Sequence, residues 1–124
     1  MLEVVNIADG FASFEDLFSP KIVADLNGQH VKIVRLEGDK VPWHTHDAED
    51  ELFWVLEGAL QVMTRDSCVT LKTGELTVVP RGVEHRVVPE GHVKLVLFEP
   101  DGIAHTGTVR TEITLETYER LGDG

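Results

Sequence analysis

The chain has 124 residues, and 22 Asp and Glu against 11 Lys and Arg give it a formal net charge of −11. That length suits a single domain over 1–124. The charge works against nucleic acid, whose phosphates need clustered Lys and Arg, and against an anionic membrane surface.

The N-terminus, MLEVVNIADG, carries acid where a signal peptide carries base, and it lacks a sustained apolar run. No later run reaches the length of a membrane span, so a cytoplasmic protein is expected. Phe11, Phe14 and Phe18 recur at i, i+3 and i+7 with Leu17 beside them, which predicts a short helix over 11–18 capping an open end of the core. Pro20 stops it.

From Lys21 the texture is that of strands. Lys21–Leu26 and Gln29–Leu36 flank Asn27-Gly28, the signature of a type I′ hairpin. Further strands are predicted over 51–56, 59–65, Cys68–Leu71, Leu76–Val79, 85–88 and 92–98. Turns are expected at Glu57-Gly58, Arg65-Asp66-Ser67, Thr73-Gly74, Pro80-Arg81-Gly82 and Pro89-Glu90-Gly91. About eight short strands at near-regular spacing point to an all-β sandwich or barrel rather than a βαβ fold. The stretch 111–121 could add an edge strand and a short helix.

Two of these strands are apolar on both faces. Phe53 and Val55 oppose Leu52, Trp54 and Leu56; Val93, Leu95 and Leu97 oppose Val96 and Phe98. A sheet with one wet face should alternate instead, so either both faces are covered within the domain or one is covered by a second subunit, and at this chain length a homodimer is expected. The lone Cys68 excludes an internal disulfide and a thiolate zinc cluster, and reads as a buried or half-buried strand residue.

His44 and His46 are one residue apart, which on an extended strand puts both imidazoles on one face. Glu51 lies on the opposite parity and joins them only if 47–50 turns or bulges. His85 follows the Pro80-Arg81-Gly82 turn and could be folded across to the other three. Three neutral imidazoles and a carboxylate suit Fe(II), Mn(II), Ni(II), Cu(II) or Zn(II) and leave positions open for water, O₂ or substrate. Asp50 rivals Glu51 as the carboxylate. Asp47, Glu49 and Asp50 could orient an imidazole N–H or simply form a solvated turn. Arg81 and Arg86 could anchor an anion or be surface charges. Phe53, Val55, Met63, Val78 and Val87 are the expected cavity lining. His30, His92 and His105 read as surface or strand-edge histidines.

The framing of these histidines resembles a known family. Gly38-x5-His44-x-His46-x4-Glu51-x6-Gly58 matches the first cupin motif at every defined position. Gly74-x5-Pro80-x-Gly82-x2-His85 matches the second, with Pro89 in place of its final Asn. The intermotif segment, 59–73, is short for cupins. Runs such as DELFWVLEG and VVPRGVEHRVV are similar to a group of stand-alone cupins labelled mannose-6-phosphate-isomerase-like. The resemblance implies a cupin jelly-roll β-barrel, also described as a double-stranded β-helix, with motif 1 at 38–58 and motif 2 at 74–89. It implies one divalent transition metal, Fe, Mn, Ni, Zn or Cu, held by His44, His46, Glu51 and His85, with Glu51 a candidate base. Gly38, Gly58 and Gly74 would sit where strands turn, and Pro89 would end its strand. The function that follows is a mononuclear metalloenzyme, dioxygenase-like or isomerase-like, acting on a small organic molecule. The alternative is a non-catalytic cupin that binds or senses a metabolite through its metal.

Overall fold

The computed structural model describes residues 2–100 and 118–122. His105 and most of the predicted strand and helix over 111–121 lie outside them. Among the described residues there is one helix, α1 (Ile7–Ala12), and seven strands: β1 (Lys21–Leu26), β2 (Gln29–Leu36), β3 (Glu51–Thr64), β4 (Cys68–Leu71), β5 (Leu76–Val79), β6 (His85–Pro100) and β7 (Glu119–Arg120). The fold is an all-β jelly roll. Its strands run in the order β4-β3-β6-β2-β1-β7, with β5 also paired to β3.

The helix lies earlier than the phenylalanine spacing predicts. Asn6 caps it, its side chain accepting from the backbone N–H of Asp9 at 2.9 Å, and Ser13 closes it. A helix through 11–18 is barred by Phe18, whose φ of 55° is left-handed. The phenylalanines instead serve two different layers. Phe11 packs outside the sheet with Val23, Ile33 and Val96, while Phe18 enters the interior cluster with Val34, Leu36 and Phe53. Arg35 ties down the segment between them, donating to the carbonyls of Phe14 at 3.0 Å and Phe11 at 2.6 Å.

The first hairpin forms as expected, with Asn27 at φ 52° and Gly28 at 76°, the pair of positive values a type I′ turn needs. Two other predicted turns are not turns. The segments 51–56 and 59–65 join into β3, and Glu57-Gly58 is a bulge at which the register against β6 shifts. Gly58 has φ 95°, and a Cβ there would lie 2.6 Å from the carbonyl oxygen of His92. Likewise 85–88 and 92–98 join into β6, and Pro89 sits within that strand, opposite Leu60. Over this half β6 pairs with β3, while its pairing with β2 covers only residues 93–100. A proline fits where a strand has one free side.

The alternation of β3 and β6 sorts their two faces. Glu51, Phe53 and Val55 of β3 and Val93, Leu95, Leu97 and Glu99 of β6 point into the barrel and are buried. On the outer face, α1 and Leu121 cover Val96 and Leu56, whereas Trp54, Leu76 and Val78 stay exposed. Cys68 is exposed on the edge strand β4, contrary to the buried position its residue type favours, because the first three residues of β4 are left uncovered on both faces. No helix among the described residues is long and apolar enough to cross a membrane.

Candidate metal centre

The segment ahead of β3 is drawn onto the start of β6 by a two-way bridge. The backbone N–H groups of His44 and His85 each donate to the other's carbonyl at 2.9 Å. That bridge places two histidines distant in sequence side by side, with ring centroids 4.3 Å apart. Gly82 donates to the carbonyl of His46 at 2.9 Å, fixing the turn before β6 against the same segment. Glu51 enters from the first position of β3. His44, His46, Glu51 and His85 are all buried, and each offers a ligand atom within 4.8 Å of the others.

The orientation of the rings shows what they face. Nδ1 of His44 lies 2.8 Å from the carbonyl of Pro42, and Nδ1 of His85 lies 2.9 Å from that of Val83. Nδ1 of His46 lies 2.8 Å from Oε1 of Glu49, an ion-pair distance though out of line for a hydrogen bond. A carbonyl acceptor requires Nδ1 to carry the proton, which leaves Nε2 with its lone pair. Among the described residues, the Nε2 atoms of His44 and His46 are buried without a hydrogen-bond partner. Oε1 of Glu51 is 3.3 Å from Nε2 of His85 and 3.5 Å from Nε2 of His46. Orphaned lone pairs facing a buried carboxylate are costly unless a cation completes them, and the donor set fits a divalent transition metal.

Electrostatics without a metal reflect the same crowding. Burial lowers His44 to about 4. Burial also opposes charge on His46, but the carboxylate of Glu51 outweighs it and raises the imidazole to about 9. For Glu51, burial pushes upward, yet the adjoining imidazoles of His46 and His85 hold it well below the usual carboxylate range. Glu99, on the other side of Glu51, is raised by burial and by that neighbouring negative charge.

The remaining expectations divide. Glu49 is buried beside His46, while Asp50 is exposed and accepts from the backbone N–H of Arg81 at 2.9 Å, so the structure brings Glu51 and not Asp50 to the histidines. Asp47 is exposed. Arg81 is paired with Asp50, and Arg86 with Asp39; neither lines the cavity beside the centre. That cavity measures about 40 Å³ and is walled by apolar side chains, Phe53, Val87 and Leu95 among them, with His44 and Glu51 as its polar members. Val55 is buried in the core, but Val78 faces solvent because β5 turns its neighbour Val79 inward. Met63 borders a surface groove instead of the cavity. His30 is buried, not superficial, with Nε2 3.3 Å from Asp25. His92 stays half-exposed beside Arg35 and Glu37. Sequence reasoning missed Lys32 and Glu99; the inward parity they share with Val34 and Leu97 was the available signal.

Fold and cluster together define a small β-barrel protein with a candidate metal site in its interior. The cupin domain model matches residues 33–109, and the chain belongs to the cupin family. A solved structure, a cupin-2 domain containing protein from Shewanella frigidimarina NCIMB 400, is similar with a TM-score of 0.76 and 40% identity, over 78% of this chain and 94% of that one. The uncharacterized protein YdbB of Bacillus subtilis (strain 168) is 34% identical over 65 residues, 52% of this chain and 57% of that protein. Homogentisate 1,2-dioxygenase of Bradyrhizobium diazoefficiens is 33% identical over 81 residues, 64% of this chain and 18% of the enzyme. The chain therefore spans little more than half of one curated relative and under a fifth of the other.

Proposed function

We propose that the protein is a single-domain, mononuclear metal-dependent cupin acting on a small organic molecule, with His44, His46, Glu51 and His85 as the metal ligands. The observation that carries this reading is the convergence of three imidazoles and one carboxylate, all buried, at the wall of an apolar cavity. A divalent Fe, Mn, Ni, Zn or Cu ion held there would supply Lewis acidity and open positions for two donor atoms of a substrate. The chain's own contribution is orientation and exclusion of water. Pro42, Glu49 and Val83 fix the rings from behind, and Phe53, Val87 and Leu95 keep the space beside them dry. A cavity of about 40 Å³ takes only a few heavy atoms, and its described lining has no Lys or Arg for a phosphate. That fits a small molecule with an apolar remainder better than a sugar phosphate.

Dioxygenation is the reaction class placed first, supported by the likeness to homogentisate 1,2-dioxygenase. Isomerisation with Glu51 as base is less well supported, since its neighbours hold that carboxyl ionised and weakly basic. Non-catalytic binding has one observation in its favour: beyond His44 and Glu51, the described cavity lining offers no acid or base. In this reading two copies associate through the outer apolar face of β5, β3 and β6.

Metal analysis of anaerobically purified protein tests the reading, followed by O₂-uptake assays against small diketones, hydroxy acids and thiols. About one transition-metal ion per chain is expected. His46→Ala and His85→Ala should lose it while staying folded, and His92→Ala should keep it. Protein with no affinity for Fe, Mn, Ni or Zn would sink the proposal. Substrate binding without turnover would select the binding module.

A further inference from the structure

Two fully buried charges stand behind the carboxylate of the candidate centre. Lys32 of β2 and Glu99 of β6 are each 0% exposed, with Nζ 2.9 Å from Oε1. Nζ also lies 3.5 Å from the centroid of the Tyr118 ring. The register explains where Glu99 sits. Leu52 of β3 faces Phe98 of β6; one residue further along the same ladder, Glu51 and Glu99 come opposite each other on the inward face. The two carboxyls lie close enough to interact directly, and among the described residues Oε2 of Glu99 has no hydrogen-bond partner.

Stability gives no reason for this arrangement. A buried ion pair loses the hydration of both charges, and an apolar pair of similar volume is usually as stable or more so. Val34 and Leu97 show that the neighbouring inward positions are filled by such residues. What Glu99 does have is contact with Glu51, the carboxylate that faces the histidine Nε2 atoms. We propose that Lys32 and Glu99 are positioning residues for the metal site: Glu99 fixes the orientation of the Glu51 carboxyl toward the imidazole Nε2 atoms, and Lys32 holds Glu99 and balances the second buried negative charge. This rests on the metal reading of His44, His46, Glu51 and His85. The roles of ligand and backing group follow the usual pattern in which groups behind a ligand decide how well it is presented.

Titration of Co(II) into the full chain tests it, with affinity measured by competition against a chelating dye, the visible spectrum recorded, and melting of the metal-free protein followed. Two variants are needed. Lys32→Met/Glu99→Leu removes both charges at similar volume; Glu99→Asp keeps the charge but withdraws it from Glu51. Both are expected to bind Co(II) about 10–100-fold more weakly, with shifted spectral bands. The metal-free double variant should melt no lower than the wild type. A folded variant that binds Co(II) as tightly as the wild type, with an unshifted spectrum, overturns the proposal and leaves the pair a structural one. Should the double variant fail to fold, Glu99→Asp decides alone. Wild-type protein that takes no Co(II) overturns the metal reading itself, a result distinct from equal binding by all three proteins.

Discussion

Each imidazole of the centre is anchored through Nδ1, and the three anchors differ in kind: two backbone carbonyls that no substitution can remove, and the side chain of Glu49. Of the three histidines, His46 is thus the one whose backing can be deleted by substitution. Glu49→Ala should weaken metal binding by about 10–100-fold, whereas Asp50→Ala, whose side chain pairs with Arg81, should change it little. Equal losses in both variants by dye competition would mean that the acidic turn acts through charge alone. His46 also sets a pH dependence. Against burial, Glu51 raises it to about 9, so below that pH a proton must leave before the ring can bind a cation. Metal affinity should therefore rise with pH, by about tenfold per unit for one displaced proton, between about pH 6 and 8. A flat profile in Co(II) titrations would show that His46 is already neutral. The grouping of His44, His46, Glu51 and His85 was legible because motif spacing constrains those positions directly. Glu49 was not separable from Asp47 and Asp50 by sequence, since three acids in four residues differ only in which way a turn aims them. Lys32 and Glu99 escaped because a charged residue at an inward strand position reads as a break in the pattern until its partner is seen.

At the level of elements, the strands that alternate cleanly or end in a two-residue turn were the ones sequence could bound. The hairpin of β1 and β2 needs positive φ twice in succession, and Asn27-Gly28 supplies it. Where sequence failed, glycine and proline marked a bend within a strand and not its end. A bulge and a turn ask for the same residues, and only the continued ladder between β3 and β6 tells them apart. Phe11, Phe14 and Phe18 failed differently: their period matches a helix, but a left-handed residue and two separate cores divide them. The Gly58 bulge bends β3 between the half that carries Glu51 and the half that pairs with β4. Gly58→Ala adds a methyl 2.6 Å from the His92 carbonyl on top of an unfavourable φ, whereas Gly74→Ala, at φ 88°, meets no atom within 4 Å. Backbone strain alone costs about 1–3 kcal/mol, and the steric clash should bring Gly58→Ala to at least about 2 kcal/mol beyond Gly74→Ala. Chemical denaturation of the two variants measures the difference; equal destabilisation would mean that β6 moves aside without penalty.

On the scale of the whole molecule, the acidic surface and the apolar outer face have to be reconciled. The net charge of −11 makes two copies repel, so association must come from desolvation and not from charge pairing. Across β5, β3 and β6 the registers set Val78, Leu52 and Phe98 in one row and Leu76, Trp54 and Val96 in the next. Val96 lies under α1, but Trp54, Leu76 and Val78 remain 40%, 51% and 47% exposed. Contiguous apolar side chains of this size on a sheet face are the kind of surface that a partner covers. Our proposal of a homodimer places its two-fold contact there. Trp54 and Glu51 have opposite parity on β3, so the contact and the metal centre occupy opposite faces of one strand. Light scattering should give twice the 13.8 kDa chain mass, and the dimer should tighten as salt screens the repulsion. Trp54→Glu should produce monomers that bind metal as the wild type does, because the substitution leaves the inward face untouched. A wild-type monomer would remove the dimer, and loss of metal in the monomeric variant would show that the two faces of β3 are not independent.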